Sequence, residues 1–284
     1  MAYELFASWL AAGTANALTS ALLHPLDRAR VLQQLAGQQP PPTLRATLLG
    51  MRSGGLAGLW LPGLQASMLR ELLYSGPRIG LYVPVRDALE AALGSGGGSG
   101  SVALKVLTGI GTGVLGCALS NPVDVVKVRL MARPEAFAST LGALPAILAA
   151  EGARGLYTGF VPSTLRGAAM TVGQIVCYDV SKQGLRDALA LREGPALHVA
   201  ASLVTGVCAT LLSAPFDVIK TRAMACPDRQ ESIASVLRAL HREGGLPGSL
   251  FRGIVPAYLR QGPFVFICMP LMEQLRAALG LGYV

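Results

Sequence analysis

The chain has 284 residues, of which 52% are hydrophobic and only 14% are charged. A soluble domain ordinarily carries about 25% charged residues, so too few polar side chains are present to cover a core of this size. The composition argues against a soluble enzyme and favours a protein that lies in lipid. The excess charge of +8 is scattered singly through apolar stretches, which argues against nucleic-acid binding and fits anionic lipid or an anionic solute.

The reactive residue types show no pattern of a catalytic or metal site. The five cysteines lack the spacing of zinc ligands or of a disulfide framework, so we expect each to be a small buried residue. The three histidines have no acids or cysteines at ligand or triad spacing, and we interpret them as helix-end residues. We therefore predict no catalytic residue, no metal and no cofactor. No cleavable signal is apparent, so targeting information is expected inside the chain.

In chain order, the first predicted element is an apolar helix of about 20 residues that runs up to Pro25. A short helical pattern over 44–51 follows and ends in a glycine turn, and Gly63 then precedes a second apolar helix. The Gly/Ser-rich segment 94–101 comes next. Because no Gly-Lys-Ser/Thr follows this segment, we predict a flexible connection rather than a phosphate loop.

The same order of elements then occurs twice more. Short helical patterns recur over 141–150 and 233–241, and each lies between two apolar helices. The motif Pro-x-Asp-x-x-Lys/Arg occurs three times, a glycine follows each proline after 37 or 38 residues, and an arginine follows each glycine after seven. The repeated positions are Pro25, Pro122 and Pro215, then Gly63, Gly159 and Gly253, and then Arg70, Arg166 and Arg260.

Three copies of a two-helix unit predict an all-α membrane protein with six transmembrane helices in pseudo-threefold arrangement. Each copy also carries one short helix between its two spans. We place the first copy at residues 1–93, the linker at 94–101, the second copy at 102–192 and the third at 193–284, all within one domain.

The three prolines and the charges beside them predict a ring at one end of a cavity. A proline inside a helix removes a backbone hydrogen bond and kinks the helix, so three equivalent kinks bend three helices toward one axis. The acid and the base after each proline lie on one helix face and could form a local pair. Because charges inside a span are costly, we favour a ring in which each acid meets the base of the next copy. The ring residues are Asp27, Arg30, Asp124, Lys127, Asp217 and Lys220.

A weaker set of charges lies near the far ends of the second helices. The first copy has Val83 where the other two copies have an acid, so a gate at this end holds at most two full pairs. The charged residues of this set are Arg86, Asp179, Lys182, Glu273 and Arg276.

The three repeated arginines are the candidate substrate site. Seven residues at 1.5 Å rise place each about 10 Å into its helix, and the repeat places them around one axis. Arginine binds carboxylate through a two-point fork, so three arginines without fixed acids predict an anion with more than one carboxylate. The alternative is that they reach lipid headgroups or backbone carbonyls. Arg78 adds a positive charge, and the equivalent residues in the other copies are Gln174 and Cys268. Three roles are open for Glu71: it braces another helix, it neutralises part of the cavity, or it carries a proton.

These motifs resemble the signature of the mitochondrial carrier family, and the resemblance covers essentially the whole chain. It implies a multi-pass protein of the inner mitochondrial membrane with its short helices on the matrix side. It also implies that the ring is the matrix gate, with Gln34 as its brace, and that the weaker set is the cytoplasmic gate. The other two brace positions hold Met131 and Met224, so light bracing is expected.

The resemblance further assigns substrate contacts and lipid turns. Substrate contact is implied at Arg70, at Arg166 with Gly167, and at Arg260, and an arginine at each point resembles the carboxylate-transporting branch. The segments 78–82 and 260–263 resemble the cluster of dicarboxylate, oxoglutarate, oxaloacetate and uncoupling carriers. The turns that resemble cardiolipin sites contain Gly152, Gly244, Arg252 and Gly253.

We therefore predict a monomeric carrier that exchanges small dicarboxylates of the malate, oxaloacetate or oxoglutarate class by alternating access, with phosphate as a further counter-substrate. The first alternative is a proton or anion leak of the uncoupling type through the same basic cavity. The second is a membrane scaffold with the carrier fold and no transport, and the third is a soluble enzyme. Both the preferred dicarboxylate and the role of Glu71 stay open at this point.

Overall fold

The computed structural model describes most of the chain, and within the described part the chain is helical apart from turns and short connections. The predicted linker at 94–101 and the predicted lipid contact Gly244 lie outside it, as does the side chain of Asp179. The described residues are 2–37, 42–93, 102–137, 139–189, 195–225, 233–243 and 245–280.

The first copy contains two spans that are each interrupted by a turn. The chain turns at Leu23, two residues before Pro25, because a proline cannot donate a hydrogen bond to the preceding helical turn. A second turn occurs at Leu81. The helices are α1 (Ala2–Leu22), α2 (His24–Leu35), α3 (Leu44–Arg52), α4 (Gly55–Trp60), α5 (Leu64–Gly80) and α6 (Tyr82–Leu93).

The second and third copies have unbroken long helices that run past Pro122 and Pro215. The kink at Gly152, whose φ is 70°, divides α8 into two parts that correspond to the pair α3 and α4. The second copy holds α7 (Val102–Ala132), α8 (Thr140–Leu156) and α9 (Phe160–Leu189), and the third holds α10 (Pro195–Ala225), α11 (Ile233–Arg242), α12 (Leu246–Leu250) and α13 (Ile254–Ala278).

The long helices close into a ring. Helix α1 packs against α5, α5 against α7, α7 against α9, α9 against α10, α10 against α13, and α13 against α1. The motif halves of the first helices of the copies, α2 and the later parts of α7 and α10, also contact one another in all three combinations. The ring is therefore drawn together at the end that carries α3, α8 and α11, which we call the short-helix end.

The apolar core lies near the short-helix end, whereas the outer surface of the bundle is also apolar. Val125, Met131 and Met224 have no exposed surface, while Phe266 is 82% exposed and Leu119 is 58% exposed. Large aliphatic and aromatic side chains directed outward along long helices are typical of a surface that meets lipid.

Three helices in the described part of the chain are long and apolar enough to cross a membrane: Leu104–Ala132, Ala200–Ala225 and Gly248–Ala278. The second span of the first copy falls short of this length. Helix α5 has 17 residues, because a turn interrupts this span at Leu81. Length and hydropathy alone thus mark one span in the second copy and two adjacent spans, α10 and α13, in the third.

Candidate substrate site and gates

The acids and bases that follow the prolines form a ring between copies. Lys127 Nζ lies 2.7 Å from Asp27 Oδ2, Lys220 Nζ lies 2.8 Å from Asp124 Oδ2, and Arg30 pairs with Asp217. Each acid therefore meets the base of the next copy, as the ring interpretation expects, and not the base on its own helix face. The three carboxylates are buried, with side chains 5% to 9% exposed.

The three repeated arginines reach the same aspartates from the other side. Arg260 Nη1 lies 3.2 Å from Asp27 Oδ1, Arg70 Nε lies 3.1 Å from Asp124 Oδ1, and Arg166 Nε lies 2.6 Å from Asp217 Oδ1. Each aspartate thus holds one base from each of the other two copies. The expectation that these arginines lack fixed acids is wrong, because their long side chains span the distance between their own level and that of the ring.

Arg70 has a second acid partner, which distinguishes it from the other two arginines. Glu71 is buried, and its Oε1 accepts a hydrogen bond from Arg70 Nη1 at 2.7 Å. Of the three roles left open for Glu71, this contact favours partial neutralisation of the cavity. The exposed fraction of the side chain is 14% for Arg70 and 25% for Arg166, so Arg166 is the more accessible of these two.

Aromatic rings lie beside two of the three repeated arginines and beside Arg78. The Arg70 guanidinium carbon lies 4.7 Å from the centroid of the Tyr74 ring, and that of Arg78 lies 5.8 Å from the same centroid. Arg260 lies 5.3 Å from the centroid of Phe264. In every case the two residues are four apart on one helix, which brings their side chains together. Of the other predicted contacts, Gln174 is exposed and Gly167 has open space beside it.

The predicted brace positions lie against the glycines that open the second helices. Gln34 Oε1 accepts a hydrogen bond from Thr221 Oγ1 at 2.7 Å, and its side chain packs against Gly253. Met131 and Met224 pack in the same way against Gly63 and Gly159. All three glycines have positive φ values between 75° and 78°. A side chain there would be strained and would meet its neighbour from the next copy within 3.1 Å.

Sequence reasoning missed a second ring of arginines at the short-helix end. Arg28 Nε donates to the Met131 carbonyl, Arg129 Nε donates to the Met224 carbonyl at 3.1 Å, and Arg222 Nε donates to the Gln34 carbonyl at 2.9 Å. Each bond joins one copy to the next. The available signal was an arginine seven residues after the second and third prolines, at a position where the first copy has leucine.

Two of these arginines also hold the short helices. Arg129 binds both carboxylate oxygens of Glu151, and Arg222 binds both carboxylate oxygens of Glu243. Arg252 adds a bond from its Nη1 to Glu243 Oε2 at 2.8 Å. Glu243 lies between α11 and α12, outside the long helices. The hydrogen bonds donated by Arg222, together with those from Arg252, hold the pKa of Glu243 below its usual value.

The residues before two of the prolines were also missed as contacts. His24 Nε2 donates to the Pro62 carbonyl at 2.9 Å, and its ring has no exposed surface. Asn121 Nδ2 donates to the Leu156 carbonyl at 2.8 Å. Both bonds connect the first long helix of the copy, beside its proline, to the turn before the second long helix. Ala214, at the same place in the third copy, has no polar group for such a bond.

The opposite end of the bundle carries the predicted second gate. Arg86 binds Asp87, its neighbour on α6, through Nε at 3.1 Å and Nη2 at 2.8 Å. Arg276 Nη1 donates to Ser8 Oγ at 3.4 Å, and Glu273 is exposed. The role of these residues, with Asp179 and Lys182, stays a prediction.

The lipid turns also stay a prediction, although the positions of their residues are defined in part. Gly152 is exposed at the kink of α8, with φ 70°. Gly253 is buried against the Arg30 carbonyl, and the Arg252 side chain is only 1% exposed. The Arg252 guanidinium donates to the Ala36 carbonyl and to Glu243. In this turn, therefore, the Arg252 guanidinium is engaged within the protein.

A closed ring of long helices, with charged residues buried around one axis and an apolar outer surface, defines a membrane transporter built from three copies of one unit. The chain belongs to the mitochondrial carrier family: the family model described as "Mitochondrial carrier protein" matches residues 2–91, 98–189 and 192–282. The protein is accordingly a multi-pass protein of the inner mitochondrial membrane.

Its similar proteins include mitochondrial transporters and an uncoupling protein. The chain is 31% identical over 290 residues to the mitochondrial transporter UCP3 of Bos taurus and 32% identical over 287 residues to that of Rattus norvegicus. It is 34% identical over 286 residues to mitochondrial brown fat uncoupling protein 1 of Canis lupus familiaris. Each match covers 95% of this chain and 91% of the relative.

Proposed function

We propose that the protein carries small carboxylate anions through its arginine-lined centre by alternating access, with the net movement of charge expected of an uncoupling-type carrier. The observation that supports it is the double occupation of each ring aspartate, by one ring base and one arginine of the substrate site. Six bases, with side chains 10% to 25% exposed, share the three ring aspartates and Glu71, so these groups together have an excess of two positive charges.

This arrangement links binding to opening. A ligand carboxylate that takes Arg166 from Asp217 leaves that aspartate with Arg30 alone, which lowers the energy needed to break the ring there. The Nε donor of Arg260 is buried without a hydrogen-bond acceptor among the described residues, and a ligand oxygen would satisfy it. A ligand shifts the two states only by binding one of them better, and competition for arginines supplies that difference.

Two features favour net transport over obligatory exchange. Net transport requires the empty carrier to return, and it returns faster where its gates are weakly held. Val83 removes one acid from the second gate, and Met131 and Met224 stand where a hydrogen-bonding brace is expected. The names of the relatives also support the uncoupling alternative better than the dicarboxylate exchange that the sequence alone favoured.

Obligatory exchange of dicarboxylates is the second candidate. All three pairs of the short-helix ring are present, and each aspartate has a further arginine. A ring this complete would hold an empty carrier in one state until a dianion binds. The same intact charges argue against a scaffold without transport.

The test is uptake of labelled malate into liposomes that contain the purified protein. The liposomes hold either malate or no carboxylate, and a potassium diffusion potential drives the anion. Uptake with accompanying current in the absence of internal malate supports the proposal. Uptake only with internal malate supports obligatory exchange instead, and no malate flux in either case overturns both.

Matched arginine variants connect the flux to the site. Arg166→Ala removes the more accessible arginine and is expected to abolish malate flux. Arg238→Ala removes an exposed arginine of α11 and is expected to leave the flux unchanged. Equal flux in wild type and Arg166→Ala would contradict the assignment of the site.

The number of chains in the transporter follows from the three copies. One chain contains all three copies and closes its own ring, so a monomer is sufficient. We also propose that cardiolipin binds the turn at Gly152, where the exposed backbone leads into the second part of α8. Native mass spectrometry of the protein with and without cardiolipin tests both points.

A further inference from the structure

We infer that Glu71 determines the charge of the anion that the site accepts. The inference rests on the proposed function and deepens it, because it assigns a specificity-determining residue to the same site. Glu71 is a buried residue that breaks the threefold symmetry of charge around the three arginines, whereas the unmatched Arg78 is exposed.

The asymmetry is visible at the positions that follow the arginines. Glu71 follows Arg70, whereas the equivalent residues in the other copies are Gly167 and Gln261. Neither replacement carries a charge. The carboxylate of Glu71 is therefore an addition to one third of a site that is otherwise matched in its ring acids, ring bases and arginines.

The contacts of Glu71 show what this addition does. Arg70 lies between two acids, Glu71 Oε1 at 2.7 Å and Asp124 Oδ1 at 3.1 Å. Arg166 and Arg260 each have one acid partner among the described residues, Asp217 and Asp27 respectively. A ligand carboxylate must displace two anions from Arg70 but only one from either of the other arginines. The structure therefore directs a ligand's carboxylates toward Arg166 and Arg260.

One helical turn beyond Glu71, Ser75 connects α5 to α1 and α13 through uncharged polar groups. On α1, Asn16 Nδ2 donates to Ser75 Oγ at 2.8 Å, and on α13 the Cys268 thiol donates to Asn16 Oδ1 at 2.9 Å. These neighbours are polar but carry no positive charge. On α7, Lys127, a base of the ring, also interacts electrostatically with Glu71.

The charge count then fixes the expected preference. Counting the ring, the three repeated arginines and the Glu71 carboxylate, the site has two more positive than negative charges, so a dianion balances it. Without Glu71 the excess is three, and a trianion gains most. Because the charges of the site are only partly exposed, we expect removal of the Glu71 charge to change the affinity for a trianion relative to a dianion by at least about tenfold.

The experiment compares binding of succinate and tricarballylate, two carboxylates on short chains that carry two and three negative charges near pH 7.5. Apparent Kd values come from the ligand-induced rise in thermal stability of the full-length purified protein. Glu71→Gln keeps the shape of the side chain and is expected to raise the ratio of tricarballylate to succinate affinity by at least about tenfold. Glu135→Gln, an exposed change outside the ring of helices, is expected to leave the ratio unchanged.

A second variant tests the inference in the opposite direction. Gln261→Glu places a carboxylate beside Arg260, as Glu71 stands beside Arg70, and is expected to shift the preference away from tricarballylate. An unchanged ratio in Glu71→Gln, or equal weakening of both ligands in both variants, overturns the inference while leaving the proposed function in place. If neither anion binds the wild-type protein and no carboxylate is transported, the proposed function fails as well.

Discussion

The two ends of the helix bundle hold their charges in different ways. At the short-helix end, Lys127 and Asp27 are 100 positions apart in sequence and join two copies, with both side chains at most 10% exposed. At the opposite end, Arg86 and Asp87 are neighbours on one helix, with side chains 38% and 57% exposed. A pair of the first kind resists separation of the copies, whereas a pair of the second kind does not.

This difference shows why the presence of matching charges does not by itself define a gate. An exposed ion pair stabilises by about 0 to 1 kcal/mol, because water and salt screen it. Removing one partner of a buried pair costs about 3 to 5 kcal/mol, because the remaining charge has lost its compensation. The short-helix end should therefore set the barrier to opening. Variants at the two ends should differ in how much they lower the free energy of unfolding.

The largest effect is expected from Asp217→Asn. This change leaves both Arg30 and Arg166 without their acid, in a buried position between copies. We expect the free energy of unfolding to fall by about 3 to 5 kcal/mol. Thermal unfolding of the purified protein in detergent measures it, with Asp87→Asn as the matched control at the opposite end. Equal shifts for the two variants would remove the distinction between the ends.

A smaller effect is expected from Gly159→Ala, which acts on packing at the short-helix end. Gly159 has φ 75°, and a Cβ there would lie 2.9 Å from Met224 Cγ. The left-handed conformation and the close contact together should cost about 1 to 3 kcal/mol. Gly184→Ala is the control, because this glycine lies within α9 with open space around an added Cβ. Loss of stability in both variants alike would contradict the close contact between the second and third copies.

The recurrence of one motif made the ring predictable. Asp27, Asp124 and Asp217 stand at the same place in three copies, so the pairing of each with the next copy followed from symmetry and from the cost of isolated charges in lipid. The fold followed from the same recurrence, since each copy contains two long apolar segments and one short helix.

The second partner of each aspartate was not predictable in the same way. The rise along a helix gives the depth of the Cα atom of Arg166, but the guanidinium lies several bonds further on and reaches Asp217. The second ring of arginines, which bind backbone carbonyls, was not predictable for another reason. Arg129 and Arg222 bind the carbonyls of Met224 and Gln34, and a carbonyl is present at every residue, so no side-chain pattern indicates which one is used.

Glu243 gives a third test, because it fastens a short helix to the short-helix end through a partly exposed contact. Glu243→Gln weakens the bonds from Arg222 and Arg252 and is expected to lower the free energy of unfolding by about 1 to 2 kcal/mol. Glu135→Gln, which changes an exposed glutamate, is the control. A loss as large as that of Asp217→Asn would place Glu243 within the buried network instead of at its edge.

The contact of Glu243 with Arg222 and Arg252 also predicts that stability depends on pH. The pKa of Glu243 is lower in the folded protein than the value of about 4.3 expected for a free glutamate. Its stabilising contribution is therefore complete above pH about 4.3 and is lost as the pH falls through the lower, folded value. Thermal stability measured between neutral and acidic pH should decline less in Glu243→Gln than in wild type. Parallel curves would show that Arg222 and Arg252 do not favour the ionised form.

The smallest effect is expected from Arg86→Gln at the opposite end. Arg86 binds Asp87 on the same helix, and both side chains are in contact with solvent, so the loss should stay below about 1 kcal/mol. Because salt screens exposed charges, the difference from wild type should shrink between low salt and about 1 M salt. Thermal unfolding at the two salt concentrations measures this. A large loss that persists in high salt would mean that Arg86 joins copies as the ring bases do, and the contrast between the two ends would then no longer hold.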